Sequence, residues 1–111
     1  MARRDLAGHV GDPARSLVLQ MNGDSLHAPA WDGSLLQPLA QPAAGRLREV
    51  AAPTLVLVGE YDLPHCHEAA TILARSIPGA RQGVVPDTAH LPSLERPDLV
   101  NPVLAEFLLA P

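Results

Sequence analysis

Two titratable residues stand where an α/β chain would place its chemistry. Asp62 follows a β-forming apolar run, Thr54-Leu55-Val56-Leu57-Val58, that is closed by Gly59. His90 follows a shorter strand candidate, 82–85, in the string Pro86-Asp87-Thr88-Ala89-His90. In open α/β sheets functional side chains collect just beyond the carboxyl ends of the strands. A crossover unit brings neighbouring strand ends to one edge, so the topology can deliver Asp62 to His90. An aspartate held against imidazole Nδ1 fixes the ring tautomer and stabilises the imidazolium that forms during acyl transfer. The plainer alternative is a loop aspartate capping the next helix and a histidine at a solvated turn.

A second constellation overlaps the first. Asp62, His65 and His67 form a D-x-x-H-x-H string with Cys66 inside it. Two histidines at i, i+2 with a carboxylate could ligate zinc or iron. Against this, Pro64 and the helix that follows make the segment an ordinary strand-to-helix loop. Cys66 is a poor nucleophile candidate, because a neighbouring carboxylate raises a thiol pKa rather than lowering it. His9 and His27 have no companions and read as exposed. Trp31 lies among Pro and Gly as a packing anchor or as the lining of a substrate pocket.

These residues need elements to hold them. Asp12-Pro13 is an N-cap and N1 pair, and Ala14, Leu17, Val18 and Met21 follow at helical spacing. The spacing predicts a helix over 13–22, with Asn22-Gly23 as a left-handed stop. Residues 23–45 are broken by Pro and Gly into short turns, and 46–50 form a short amphipathic segment. The second half is tighter. Leu55–Val58 is apolar on both faces, as a buried parallel strand is. Residues 68–77 predict a helix with Ala69, Ile72, Leu73 and Ser76 on one stripe, ended by Pro78-Gly79. A last helical stretch covers 97–109. Pro102 would kink it, or restart it with Asn101 as N-cap. Strand, helix, strand, helix predicts a right-handed parallel crossover and an α/β fold class.

Composition narrows the partners. The 111 residues allow one domain, at 47% hydrophobic and 18% charged. Every basic residue is Arg, and the net charge is −4. An acidic chain without a basic stripe is a poor partner for nucleic acid or for an anionic membrane surface. A single cysteine excludes an intrachain disulfide. Arg3-Arg4 has no apolar run behind it, and no segment approaches the length of a membrane span. The expected location is the cytoplasm.

The string PTLVLVGEYDLP, then a helix, then VVPDTAHLPSLERPD, resembles the carboxyl-terminal part of α/β-hydrolase-fold enzymes, and in particular ester and 3-oxoadipate enol-lactone hydrolases. The resemblance covers 53–109 most clearly and implies a partial hydrolase domain: 1–50 as cap remnant and lead-in, 53–109 as the last two strands, acid loop, histidine loop and carboxyl-terminal helix. It makes Asp62 the triad acid and His90 the triad base, with a small ester or lactone as substrate and neither metal nor organic cofactor.

The G-x-S-x-G nucleophile elbow of that family is absent, as is its oxyanion-hole turn. Gly23-Asp24-Ser25-Leu26-His27 lacks the second glycine, Ser16, Ser34, Ser76 and Ser93 have no elbow context, and Gly8-His9-Val10-Gly11 is a superficial echo of the oxyanion turn. Three readings follow: an inactive carboxyl-terminal piece of a hydrolase, a half-enzyme that docks onto a chain supplying the nucleophile, or a non-catalytic binding or structural module on the same scaffold. A two-stranded sheet with open edges predicts a marginal or self-associating chain when alone.

Overall fold

The computed structural model describes residues 12–30 and 32–111. The expectations for Arg3-Arg4, the 8–11 string, His9 and Trp31 lie outside them. Helix α1 spans Asp12–Leu26 and is followed by two 3-10 turns, Gly33–Leu35 and Ala43–Glu49. Strand β1 (Leu55–Gly59), helix α2 (Pro64–Ser76), strand β2 (Arg81–Val85), the short helix α3 (Pro92–Glu95) and helix α4 (Pro97–Leu109) complete the chain. The two strands are parallel and in register from Leu55 against Arg81 to Gly59 against Val85. A mixed α/β arrangement with a parallel crossover through α2 is therefore what the sequence folds into.

The ladder continues one residue past each end of β1. The Arg81 amide donates to the Thr54 carbonyl at 3.0 Å, and the Glu60 amide donates to the Val85 carbonyl at 3.0 Å. Helix α2 packs against both strands. Helix α4 lies over the face that carries Leu55, Leu57, Arg81 and Gly83, which share one side because strand side chains alternate. There the Arg81 guanidinium sits 5.2 Å from the centre of the Phe107 ring. The core is small: Val58, Ala70, Ile77, Val85, Ala89 and Val100 are buried. Leu55, Val56 and Leu57, read as fully buried, are only half-buried.

Four local expectations need correction. Helix α1 runs straight through Asn22-Gly23 to Leu26. Glycine permits a left-handed stop without enforcing one, and here it remains helical at a cost of about 1 kcal/mol relative to alanine. Helix α2 begins at Pro64 rather than at Glu68. Proline has no amide to leave unsatisfied and its φ is already helical, so it opens the helix at N1. His65, Cys66 and His67 are therefore the first turn of a helix and not a loop. Helix α4 runs as one helix with Pro102 inside it, so the restart at Asn101 is not taken and only the bond to the Asp98 carbonyl is forgone. Residues 92–95 form a helical turn that periodicity did not indicate. Among the described residues, no helix is long and apolar enough to cross a membrane.

Candidate active site

The site is built where the loop after β1 meets the loop after β2. Gly59 ends β1 against the second loop: a Cβ placed on it would overlap the Ala89 carbonyl oxygen and lie 2.9 Å from the Thr88 carbonyl oxygen. Only glycine lets the two backbones approach so closely. The next residues are stitched pairwise. The Asp87 amide donates to the Glu60 carboxylate at 2.9 Å. The Tyr61 amide donates to the Thr88 carbonyl at 2.8 Å. Thr88 is wholly buried, and its hydroxyl donates to the Val85 carbonyl at 2.9 Å. Asp87 takes a φ of +56°, a left-handed conformation that aspartate tolerates better than most residues. Arg96 bridges its carboxylate at 3.3 Å and that of Asp98 at 2.8 Å.

This seam delivers Asp62 to His90. Both carboxylate oxygens of Asp62 lie 3.0 Å from His90 Nδ1. The Asp62 side chain is 8% exposed, whereas that of His90 is 73% exposed. The Leu63 amide also donates to Asp62 Oδ1 at 2.7 Å. Burial pushes the Asp62 pKa up, but hydrogen bonds from the Leu63 amide, the His90 ring and the Cys66 thiol outweigh it and leave the group below its ordinary value. The carboxylate stays ionised and faces Nδ1, which leaves Nε2 outside this contact.

The histidine loop is held a second time from α3. The Glu95 carboxylate accepts from the Ala89 amide at 2.9 and 3.1 Å and from the Leu91 amide at 2.9 Å. These are the amides on either side of His90, so one side chain braces the backbone that carries the imidazole. The sequence reading used Gly59 only as the end of the strand and gave Glu95 no role in holding the histidine loop. The only signals were a glycine closing the strand before the acid and a glutamate five residues after the histidine.

The remaining candidates separate from the site. Ser25 is on α1, where its hydroxyl donates to the Met21 carbonyl at 2.9 Å within the same helix. Ser16, Ser34, Ser76 and Ser93 lie on α1, the Gly33–Leu35 turn, α2 and α3. Among the described residues no serine hydroxyl hydrogen-bonds His90. The D-x-x-H-x-H string does not assemble as a ligand set. Instead Cys66 turns toward the dyad, its Sγ 4.0 Å from His90 Nδ1. The donor atoms of Asp62, Cys66 and His90 all lie within 4.8 Å of one another, a group that does not include His65 or His67. Burial and then the adjacent Asp62 carboxylate push the Cys66 thiol up, which keeps it protonated.

Among curated proteins, the chain is similar to the pimeloyl-[acyl-carrier protein] methyl ester esterase of Nitrosospira multiformis, at 29% identity over 92 residues. That match covers 83% of this chain and 34% of the esterase, so the chain spans about a third of the length of the relative it matches. No family model matches the chain. No solved structure matches it.

Proposed function

We propose that this chain is the acid–histidine portion of an ester-hydrolysing centre of the α/β-hydrolase type, with Asp62 as orienting acid and His90 as general base and acid. The observation that carries the reading is the buried, ionised Asp62 carboxylate fixed to Nδ1 of an exposed imidazole. Similarity to an esterase supports the same chemistry.

In this reading Asp62 keeps the proton on Nδ1, so Nε2 presents a lone pair to a nucleophile's hydroxyl. His90 takes that proton as the nucleophile attacks an ester or lactone carbonyl, and Asp62 stabilises the imidazolium. His90 then protonates the departing alcohol, and an acyl intermediate is left on the nucleophile. In the second half His90 deprotonates water, which attacks the acyl carbon, and returns the proton to the nucleophile. The nucleophile belongs to residues outside this sequence, on a continuous or a separate chain. A serine is the expected identity, and an aspartate would suit a related reaction. Exposed apolar side chains such as Leu63, Ile72, Val84 and Leu91 fit a surface that a larger hydrolase body would cover. A cytoplasmic location goes with the single cysteine.

The test is a chimera in which this chain replaces the matching third of the Nitrosospira esterase, assayed on an aryl ester. Turnover should fall by about 10³-fold or more on His90→Ala and strongly on Asp62→Asn. Equal rates for the parent chimera and His90→Ala sink the reading. In the isolated 111-residue chain, the Nδ1 proton of His90 should give a downfield NMR resonance that Asp62→Asn removes. Absence of that resonance in folded chain counts against the dyad independently of activity.

A further inference from the structure

Asp62 gathers three protons onto one carboxylate: from the Leu63 amide, the His90 ring and the Cys66 thiol. Two of these donors, the imidazole and the thiol, become metal ligands when the proton is moved or lost. The cluster then offers one thiolate, one imidazole nitrogen and one carboxylate oxygen, the mixed donor set that zinc accepts. A tetrahedral zinc ion would set sulfur and nitrogen about 3.6 Å apart, and nitrogen and oxygen about 3.4 Å apart. The observed separations are 4.0 and 3.0 Å. Adjustments of about 0.4 Å, within the reach of an exposed imidazole, bring these two separations to tetrahedral values, and all three donor atoms already lie within 4.8 Å of one another.

The surroundings favour the same occupant. Cys66 is the third residue of α2, and that first helical turn carries its sulfur to the His90 ring. Asp62 is fixed by the backbone bond from Leu63, so one ligand is held in place before the ion arrives. The exposure of His90 leaves a fourth position open to water. The charges also close: a carboxylate and a thiolate offset a divalent ion. Binding releases the thiol proton to solvent and shifts the imidazole proton from Nδ1 to Nε2.

We propose that Asp62, Cys66 and His90 form a binding site for a thiophilic divalent cation of the zinc class, which occupies the place of the Nδ1 proton and takes His90 out of acid–base work. Binding itself stands apart from the hydrolase reading; only the loss of catalysis rests on it. Metal occupancy and proton transfer then exclude one another at the same imidazole.

The probe is Co²⁺ alone, titrated into the 111-residue chain at neutral pH and followed by its near-ultraviolet thiolate-to-cobalt absorption. One ion per chain is expected, with the band abolished by Cys66→Ser. Asp62→Asn and His90→Asn should each weaken binding at least about tenfold, the minimum seen for loss of even an outer ligand partner. His65→Ala and His67→Ala should leave it unchanged. Absence of the band, its persistence in Cys66→Ser, or an affinity untouched by His90→Asn overturns the site. Because no ester is involved, this result can fail while the base role of His90 stands. In the esterase chimera, Zn²⁺ should inhibit, and Cys66→Ala should relieve that inhibition at least about tenfold.

Discussion

Gly59 lies against the Ala89 carbonyl with no room for a side chain, so the end of the acid strand sets the height of the histidine loop. Gly59→Ala should lift that loop, because the obstruction is backbone and cannot rotate away. The expected cost is about 1–3 kcal/mol, in the range of other overpacking changes. A urea unfolding series measures it, and the His90 Nδ1 proton resonance should weaken in the same variant. Wild-type stability with an unchanged resonance would show that the loop yields without cost.

Glu95→Ala should free two backbone amides without touching the imidazole. Leaving the partly buried Ala89 donor without an acceptor costs about 1 kcal/mol or more, whereas the exposed Leu91 amide can turn to water. The resonances of Ala89 and Leu91 should broaden as the loop samples other positions. Glu95→Gln keeps one acceptor oxygen but turns an NH₂ group toward the Ala89 amide, so it should restore only part of the order. Identical amide spectra for wild type and Glu95→Ala would remove the brace.

Acid should weaken the fold through Asp62. Its folded pKa lies below the unfolded one, so the stability it contributes is present above the unfolded value, about 3.9, and is lost as pH falls through the folded value. Asp62→Asn should be less stable near neutrality and should lose this acid limb. Urea midpoints taken on either side of pH 4 in chelator-treated buffer check it. A parallel decline in both proteins would assign the acid sensitivity elsewhere.

Much of this site could be read before any coordinates. The apolar run at 55–58 announces a parallel strand, and strand-end logic pairs Asp62 with His90. What escaped the sequence is work done by backbone. Glu95 acts on amides, which look alike at every position, and the constraint on Gly59 comes from a loop thirty residues away. The carboxylate argument against Cys66 as a nucleophile holds, but its place beside His90 depends on α2 beginning at Pro64, four residues before the sequence pattern puts it. Placed on a helical turn, it faces the dyad while its histidine neighbours do not. The overrun of α1 past Gly23 has a similar origin, since glycine widens the choice of conformation and leaves the decision to other forces.

The ladder between β1 and β2 also divides the amides of β1 into two populations. Thr54 and Glu60 bond to β2, and in a parallel pair such bonding recurs at every second residue, so the amides of Val56 and Val58 face β2. Those of Leu55, Leu57 and Gly59 point the other way. Deuterium exchange should therefore alternate along β1 in the isolated chain, slow at Val56 and Val58 and fast at their neighbours. If a further strand pairs with the free edge of β1, the alternation should vanish. Leu57 then becomes a reporter of assembly, distinguishing a chain that stands by itself from one seated in a larger sheet.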